Sequence, residues 1–527
     1  MMVIALLLGC TETIGEGAAF TLNIDVQLAP NQTGLLSELS ELELIVEYST
    51  GSESYPLSTT EPGKSAEIVG IDPLDAETVA LVGYADGEVA AFGRSTALSV
   101  SKNNLDASLV LLRTDDFAWL EVPEERAFAA AASTGDGRFW ISGGSSASNV
   151  LSNETGKFTL ATWWSLSLTD GLELALSEVD GLLLPDLSAE PGNEGNITTP
   201  GRLGHTMTHL GDGELLIVGG GIAPDSSEAS SLESYLWTPD SGDPDSAGSL
   251  KRGRAHHQSV LLPSGNVVLI GGYNYTGASG LVAFNDNFEL IDSATRTSQE
   301  LTDLLTAGSL GSGATQLQDT GAMVCGGISF SSDTQTPVDV SSGCDIIGLE
   351  GSIESSAELP VGVVYSQLTQ LLDGSVLLTG GMDTPRGTSM AFNSTDTFTS
   401  SDKVFLFTGG SWSEVASMSN PRARHVARRL TDGRVLVAGG ATAFQGITSF
   451  QDATALPCAE LYDPLEDTWT EVGVGSCDEG SATGALPQPA WDPAVASDDD
   501  YGILLIGGVS DNRPVAAGAL FVGTPDL

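Results

Sequence analysis

Short apolar runs that end in a glycine pair recur along most of the chain. Phe139–Ser142 precedes Gly143-Gly144, Leu215–Val218 precedes Gly219-Gly220, and Val267–Ile270 precedes Gly271-Gly272. Further copies end at Gly326-Gly327, Gly380-Gly381, Gly439-Gly440 and Gly507-Gly508, seven in all. Upstream of each run stands a turn pair: Asp136-Gly137, Asp212-Gly213, Ser264-Gly265, Asp373-Gly374 or Asp432-Gly433, with Asp319 and Asp500 marking the other two. Asp-Gly tolerates positive φ and closes a tight hairpin, so each unit is predicted to hold two antiparallel strands. Seventeen residues before the first glycine stand Arg126, Arg202, Arg254 and Arg422, and the last three continue as Arg-x-x-His with His205, His257 and His425. Repetition in such strict register marks a repeat architecture.

Each glycine pair is followed by a loop of variable length and a third strand, clearest at Ala459–Pro464. A fourth carries a tryptophan: Thr468–Val472 with Trp469, and Ser411–Val415 with Trp412. Four strands per unit fit a propeller blade, whose edges are covered by its neighbours. Arg-x-x-His, Asp-Gly, the apolar strand, Gly-Gly, Tyr-Asp-Pro and Trp together resemble the kelch repeat, over residues 117–527. The fold expected is all-β: a seven-bladed kelch-type β-propeller. Its last unit lacks a Trp-bearing fourth strand, and Phe117–Val122 has that pattern, so 117–122 is expected to complete the seventh blade.

Residues 18–115 lie outside the repeat. Alternating segments at 20–28, 42–48, 66–71, 79–84, 89–93 and 107–112 predict a small β-sandwich, immunoglobulin-like or transthyretin-like. Before it, the apolar Val3–Leu8 runs into Leu7-Leu8-Gly9-Cys10, which resembles the bacterial lipobox. That resemblance implies a signal peptide over 1–9, lipid on Cys10, a tether over 10–17 and an outer-membrane lipoprotein in the cell envelope. The sandwich would then hold the propeller away from its anchor.

Four further cysteines suit an exported chain. Cys325 and Cys344 are 19 apart, as are Cys458 and Cys477. The predicted strand positions favour the disulfides Cys325–Cys344 and Cys458–Cys477. The 527 residues carry 70 Asp and Glu against 20 Lys and Arg, a formal net charge of −50. That field repels phosphate backbones and excludes nucleic acid as a ligand.

Chemistry is sparse. Arg126, Arg202, Arg254, Arg422, His205, His257, His425 and Trp469 belong to the repeat and are read as structural. His209 and His256 are the only other histidines, and two isolated imidazoles make no nucleophile–base–orienter set. Some chains of this repeat type resemble galactose oxidase, a copper enzyme that needs a tyrosine crosslinked to cysteine, a second tyrosine and two histidines. With the cysteines paired off, no metal or cofactor is expected. Arg424, Arg428 and Arg429 are surplus to the repeat: they pair with the chain's own abundant Asp and Glu, the favoured reading, or are candidates for a carboxylate-bearing ligand. The leading expectation is a monomeric, non-enzymatic binding scaffold that recognises a protein or glycan through Met382–Asp402 and Ala441–Pro457. The alternatives are a secreted carbohydrate-oxidising enzyme of the galactose oxidase-like type and a structural envelope lipoprotein.

Overall fold

A computed structural model describes residues 3–8, 21–57, 76–95, 98–101, 104–146, 160, 162–168, 176–179, 202–221, 231–239, 241–242, 244–275, 282–284, 287–301, 306–308, 310–330, 337–384, 397–446, 452–473, 477 and 485–525. These residues are almost entirely β. Strands between Val3 and Arg113 form one eight-stranded sheet, and seven four-stranded antiparallel sheets come after it in the chain. The predicted strand at 66–71 lies outside the described residues.

In the first unit, Glu41–Tyr48 buries Leu42, Leu44 and Val46 and turns its glutamates outward. This is the period-2 signature of a half-buried strand. Thr21–Leu28 runs parallel to Asn104–Arg113 and antiparallel to Val3–Leu8. Gly51–Leu57 adds a strand whose largely exposed Gly-Ser-Glu-Ser stretch shows no apolar alternation. The unit packs directly on the four-stranded sheets. Val82, Phe92 and Leu112 share one apolar cluster with Leu120, Ile141, Leu504 and Leu520. Arg94 bridges Glu47 and Asp500, and Asn31 Nδ2 donates to Phe117 O at 2.8 Å.

Each four-stranded sheet follows one plan, seen in Val426–Arg429, Val435–Ala438, Ala459–Asp463 and Thr468–Val472. The second strand is buried at every position because sheets cover it on both faces. The seventh sheet joins both regions of the chain: Ala494–Asp498, Gly502–Ile506 and Gly518–Val522 are completed by Asp116–Leu120. Phe117 is fully buried there, its ring 5.1 Å from that of Phe521, whereas Trp119 is half-buried.

The glycine pairs join one sheet to the next. Gly144, Gly220, Gly327, Gly381, Gly440 and Gly508 each donate a backbone N–H to the adjoining sheet, at 2.7–3.0 Å. The acceptors are the carbonyls of Arg202, Arg254, Val363, Arg422, Ala490 and Arg126. The last of these bonds returns from the seventh sheet to the first. The approach leaves no room for a side chain: a Cβ on Gly507 would lie 2.2 Å from Arg126 O. Outer tryptophans add a second set of links, Trp469 Nε1 to Ala416 O at 2.8 Å and Trp412 Nε1 to Ala357 O at 3.0 Å. The disulfides are Cys325–Cys344 and Cys458–Cys477.

Candidate functional site

The repeat arginines are fully buried and act at the glycine pairs. Arg126, Arg202, Arg254 and Arg422 each donate Nη1 to the carbonyl of the first glycine of their own unit, at 2.8–2.9 Å. Their charges are met differently. Arg254 and Arg422 face the buried Glu289 and Glu460, while Arg126 and Arg202 lie against the rings of Trp164 and Tyr235 at 3.4 and 5.0 Å. The repeat histidines fix hydroxyls: His205 Nε2 with Ser142, His257 Nε2 with Thr206 and His425 Nε2 with Thr379, at 2.8–3.0 Å.

One residue per sheet departs from this structural role. Two places beyond the arginine position stand Phe128, Gly204, His256, Gly311, Tyr365, Arg424 and Asp492, and all seven have φ between 52° and 70°. Five are not glycine, a conformation that costs each about 1–3 kcal/mol and persists only where the surroundings over-determine it. Backbone hydrogen bonds supply that constraint in sequence order. Gly204 N donates to Phe128 O, His256 N to Gly204 O, Tyr365 N to Gly311 O, Arg424 N to Tyr365 O, and Asp492 N to Arg424 O. The two glycines make room for rings: a Cβ on Gly204 would lie 2.6 Å from the His256 imidazole, and one on Gly311 would lie 2.6 Å from the Tyr365 ring.

All seven line one cavity of about 190 Å³, together with Gln258 and Ser312. Arg424 Nη1 contacts Asp492 Oδ2 at 2.9 Å, and its guanidinium lies 4.3 Å from the Tyr365 ring and 5.5 Å from that of Trp491. Burial alone would strip charge from Arg424, but Asp492 and Tyr365 outweigh it and hold the guanidinium protonated. His256 sits edge-on to Phe128 at 4.8 Å and stacked on Tyr273 at 5.0 Å. Burial lowers its pKa to about 4, so it is a neutral imidazole at pH 7. The Tyr365 hydroxyl is buried, which raises its pKa, while Arg424 pulls it the other way. The cavity thus holds a neutral imidazole, a neutral phenol and a fixed ion pair.

The described parts of the expected recognition segments do not line this cavity. Met382–Thr384 pairs with Gly362–Val364, and Thr397–Thr399 pairs with Ala443–Gln445, stacking Phe398 on Phe444 at 5.7 Å. Phe444 in turn meets the Tyr365 ring at 6.5 Å. The surplus arginines separate. Only Arg424 reaches this cavity; Arg428 is half-buried and donates to Ala427 O, and Arg429 is exposed and donates to Gln370 O. The three do not share one site, and Arg424, which lines the cavity, is paired there with Asp492. His256, set apart as an isolated imidazole, is brought together with Tyr365 and Asp492. Cys10 lies outside the described residues.

A copper centre of the galactose oxidase kind does not fit these donors. His256 is the one lining imidazole outside the repeat, since the Nε2 atoms of His205 and His257 are taken by hydroxyls. Cys325, Cys344, Cys458 and Cys477 are in disulfides, which leaves no described cysteine for a crosslink to tyrosine. Arg424 places positive charge where a cation would sit.

No protein-family model matches the sequence, and no curated protein matches it. Among solved structures the chain is similar to a fungal alcohol oxidase with catalytic diversity among the AA5 family, in complex with copper. The likeness has a TM-score of 0.51 at 13% identity and covers 77% of this chain and 75% of that one. It is a likeness of fold, to a protein that is an enzyme, and the expectation of a non-enzymatic scaffold is corrected accordingly.

Proposed function

We propose that this chain is an exported enzyme acting on hydroxyl groups of an alcohol or carbohydrate, on a seven-bladed kelch-type propeller of the galactose oxidase-like type. Seven successive four-stranded sheets linked through their glycine pairs support the blade reading. The observation that carries the function is the cavity. The one repeat position that varies in every respect but backbone conformation delivers His256, Tyr365, Arg424 and Asp492 to a single space.

Neutral His256 and the Tyr365 hydroxyl are suited to hydrogen-bond a substrate hydroxyl and hold it in position. Misplacing a substrate at such a site costs about 10²-fold. The test is a panel of alcohols and sugars, with product read by mass spectrometry and peroxide by a coupled assay, each with added copper and with chelator. Turnover is expected, and His256→Ala and Tyr365→Phe should each lower kcat/KM by about 10²-fold or more without changing the melting temperature. Full activity in both variants would overturn the assignment. Peroxide that appears only with copper would favour the oxidase chemistry of the structural neighbour through donors other than those above.

Export belongs to the same proposal. The two disulfides suit an oxidising compartment. Lipid on Cys10 would anchor the mature chain in the cell envelope. Cys10→Ser protein should then lose its partition into membranes, because the acyl chains supply the binding energy. Unchanged partition would remove the anchor from the proposal.

A further inference from the structure

The geometry points to a carboxylate-bearing sugar, a hexuronate or related sugar acid, as the substrate class of the axial cavity, with Arg424 as the residue that selects it. This rests on the enzymatic reading above. Of the ionisable side chains that line the cavity, Arg424 is the cation, Asp492 the anion, and His205, His256, His257 and Tyr365 are neutral at pH 7. Arg424 and Asp492 form an ion pair at 2.9 Å, so what the site offers a carboxylate is a planar hydrogen-bond donor held in place, not an excess of positive charge.

Arg424 is also held in place before any ligand arrives. Its backbone is locked at φ 52° by the bond to Tyr365 O, Asp492 grips Nη1, and the rings of Tyr365 and Trp491 lie beside the guanidinium. With rings against it, the group is met edge-on, the approach that a planar carboxylate matches. Over the rest of a chain carrying −50, an anion is repelled, so discrimination rests on this one cation. The cavity volume of about 190 Å³ is below the roughly 300–1,000 Å³ of drug-sized sites and suits a single ring. Gln258 and Ser312 stand in the wall for its hydroxyls. Phe128, edge-on to His256, adds an apolar ring to the wall for its carbons.

The test is titration calorimetry of the full chain with galacturonate, galactose and acetate. Galacturonate is expected to bind about tenfold or more tightly than galactose, and acetate far more weakly than galacturonate. Arg424→Gln should erase the advantage over galactose, Arg424→Lys should retain part of it, and Arg429→Gln should leave it intact. Melting curves of the Arg424 variants check that they fold. Equal binding of galacturonate and galactose, no galacturonate binding, acetate as tight as galacturonate, or full discrimination in a folded Arg424→Gln variant would each overturn the inference. Turnover of neutral alcohols without uronate preference sinks the inference and spares the enzyme. Selective uronate binding without any turnover does the reverse.

Discussion

Acidification from pH 7 to pH 5 should destabilise this protein steeply, well before its carboxylates titrate. His205, His257 and His425 are buried, and burial first, then the neighbouring repeat arginines, drives their pKa values far below the ordinary 6.5, to about 3 for His205. In the unfolded chain these histidines protonate near 6.5; in the native protein they do not. Below that point the unfolded state binds more protons, so the stability fully present above pH 6.5 falls as the pH drops towards the folded values. Linkage gives about 2 kcal/mol per histidine at pH 5, or about 6 kcal/mol for the three. That is comparable to the roughly 5–15 kcal/mol that holds a typical domain. Thermal melts from pH 7.5 to pH 5 should show the loss, and replacing all three histidines with glutamine should remove most of it, leaving the share of His256, whose pKa is also lowered by burial. A melting temperature constant over that range in the native sequence would contradict the buried neutral state.

Arg422→Met should cost about 3–5 kcal/mol, because it strands a carboxylate. Arg422 Nη2 meets Glu460 Oε1 at 2.6 Å, and the two side chains are 0% and 1% exposed. Glu460 also accepts Ser419 N, so it cannot swing to water without breaking the chain's local path. Arg126→Met makes the internal comparison. Its guanidinium lies over Trp164, and its nearest carboxylate, Glu124, is 3.8 Å away and 42% exposed, so loss of the charge leaves nothing buried and unpaired. A loss of about 1.5–3 kcal/mol is expected there, from hydrogen bonds alone. Adding Glu460→Leu to Arg422→Met should recover much of the stability. Equal losses for the two arginine variants in denaturant titrations, or no recovery in the double variant, would show that the carboxylate is not the cause.

The repeating parts of the molecule were legible in the sequence because one geometric demand is made again at every sheet. A backbone bond such as Gly508 N to Arg126 O forbids a side chain, so Gly-Gly recurs, and its register carries the turns and arginines with it. The site was not legible, for the opposite reason. Phe128, Gly204, His256, Gly311, Tyr365, Arg424 and Asp492 share a conformation but no residue type, so periodicity is silent about them. The available signal was their constant offset of two from the arginine position. Adjacency misled as well: Arg424, Arg428, Arg429 and Arg434 are neighbours in the chain, yet the strand and turn that carry them send Arg424 to the cavity and Arg434 onto Asp115. Packing such as Phe398 on Phe444 comes from loops paired across 40 to 50 residues, which no local pattern announces.

The seventh sheet takes Asp116–Leu120 from early in the chain and Gly518–Val522 from late in it, and this sets an order of events in folding. A ribosome must deliver the later strand before the earlier one has a partner. Loop-closure entropy grows slowly, by about 0.6 kcal/mol per doubling of length, so the delay weighs on rate far more than on final stability. Until then Phe117 and the apolar face formed by Val82, Phe92 and Leu112 stay open to other chains. The closing step therefore waits on the release of Gly518–Val522, and folding during synthesis leaves this one sheet for last.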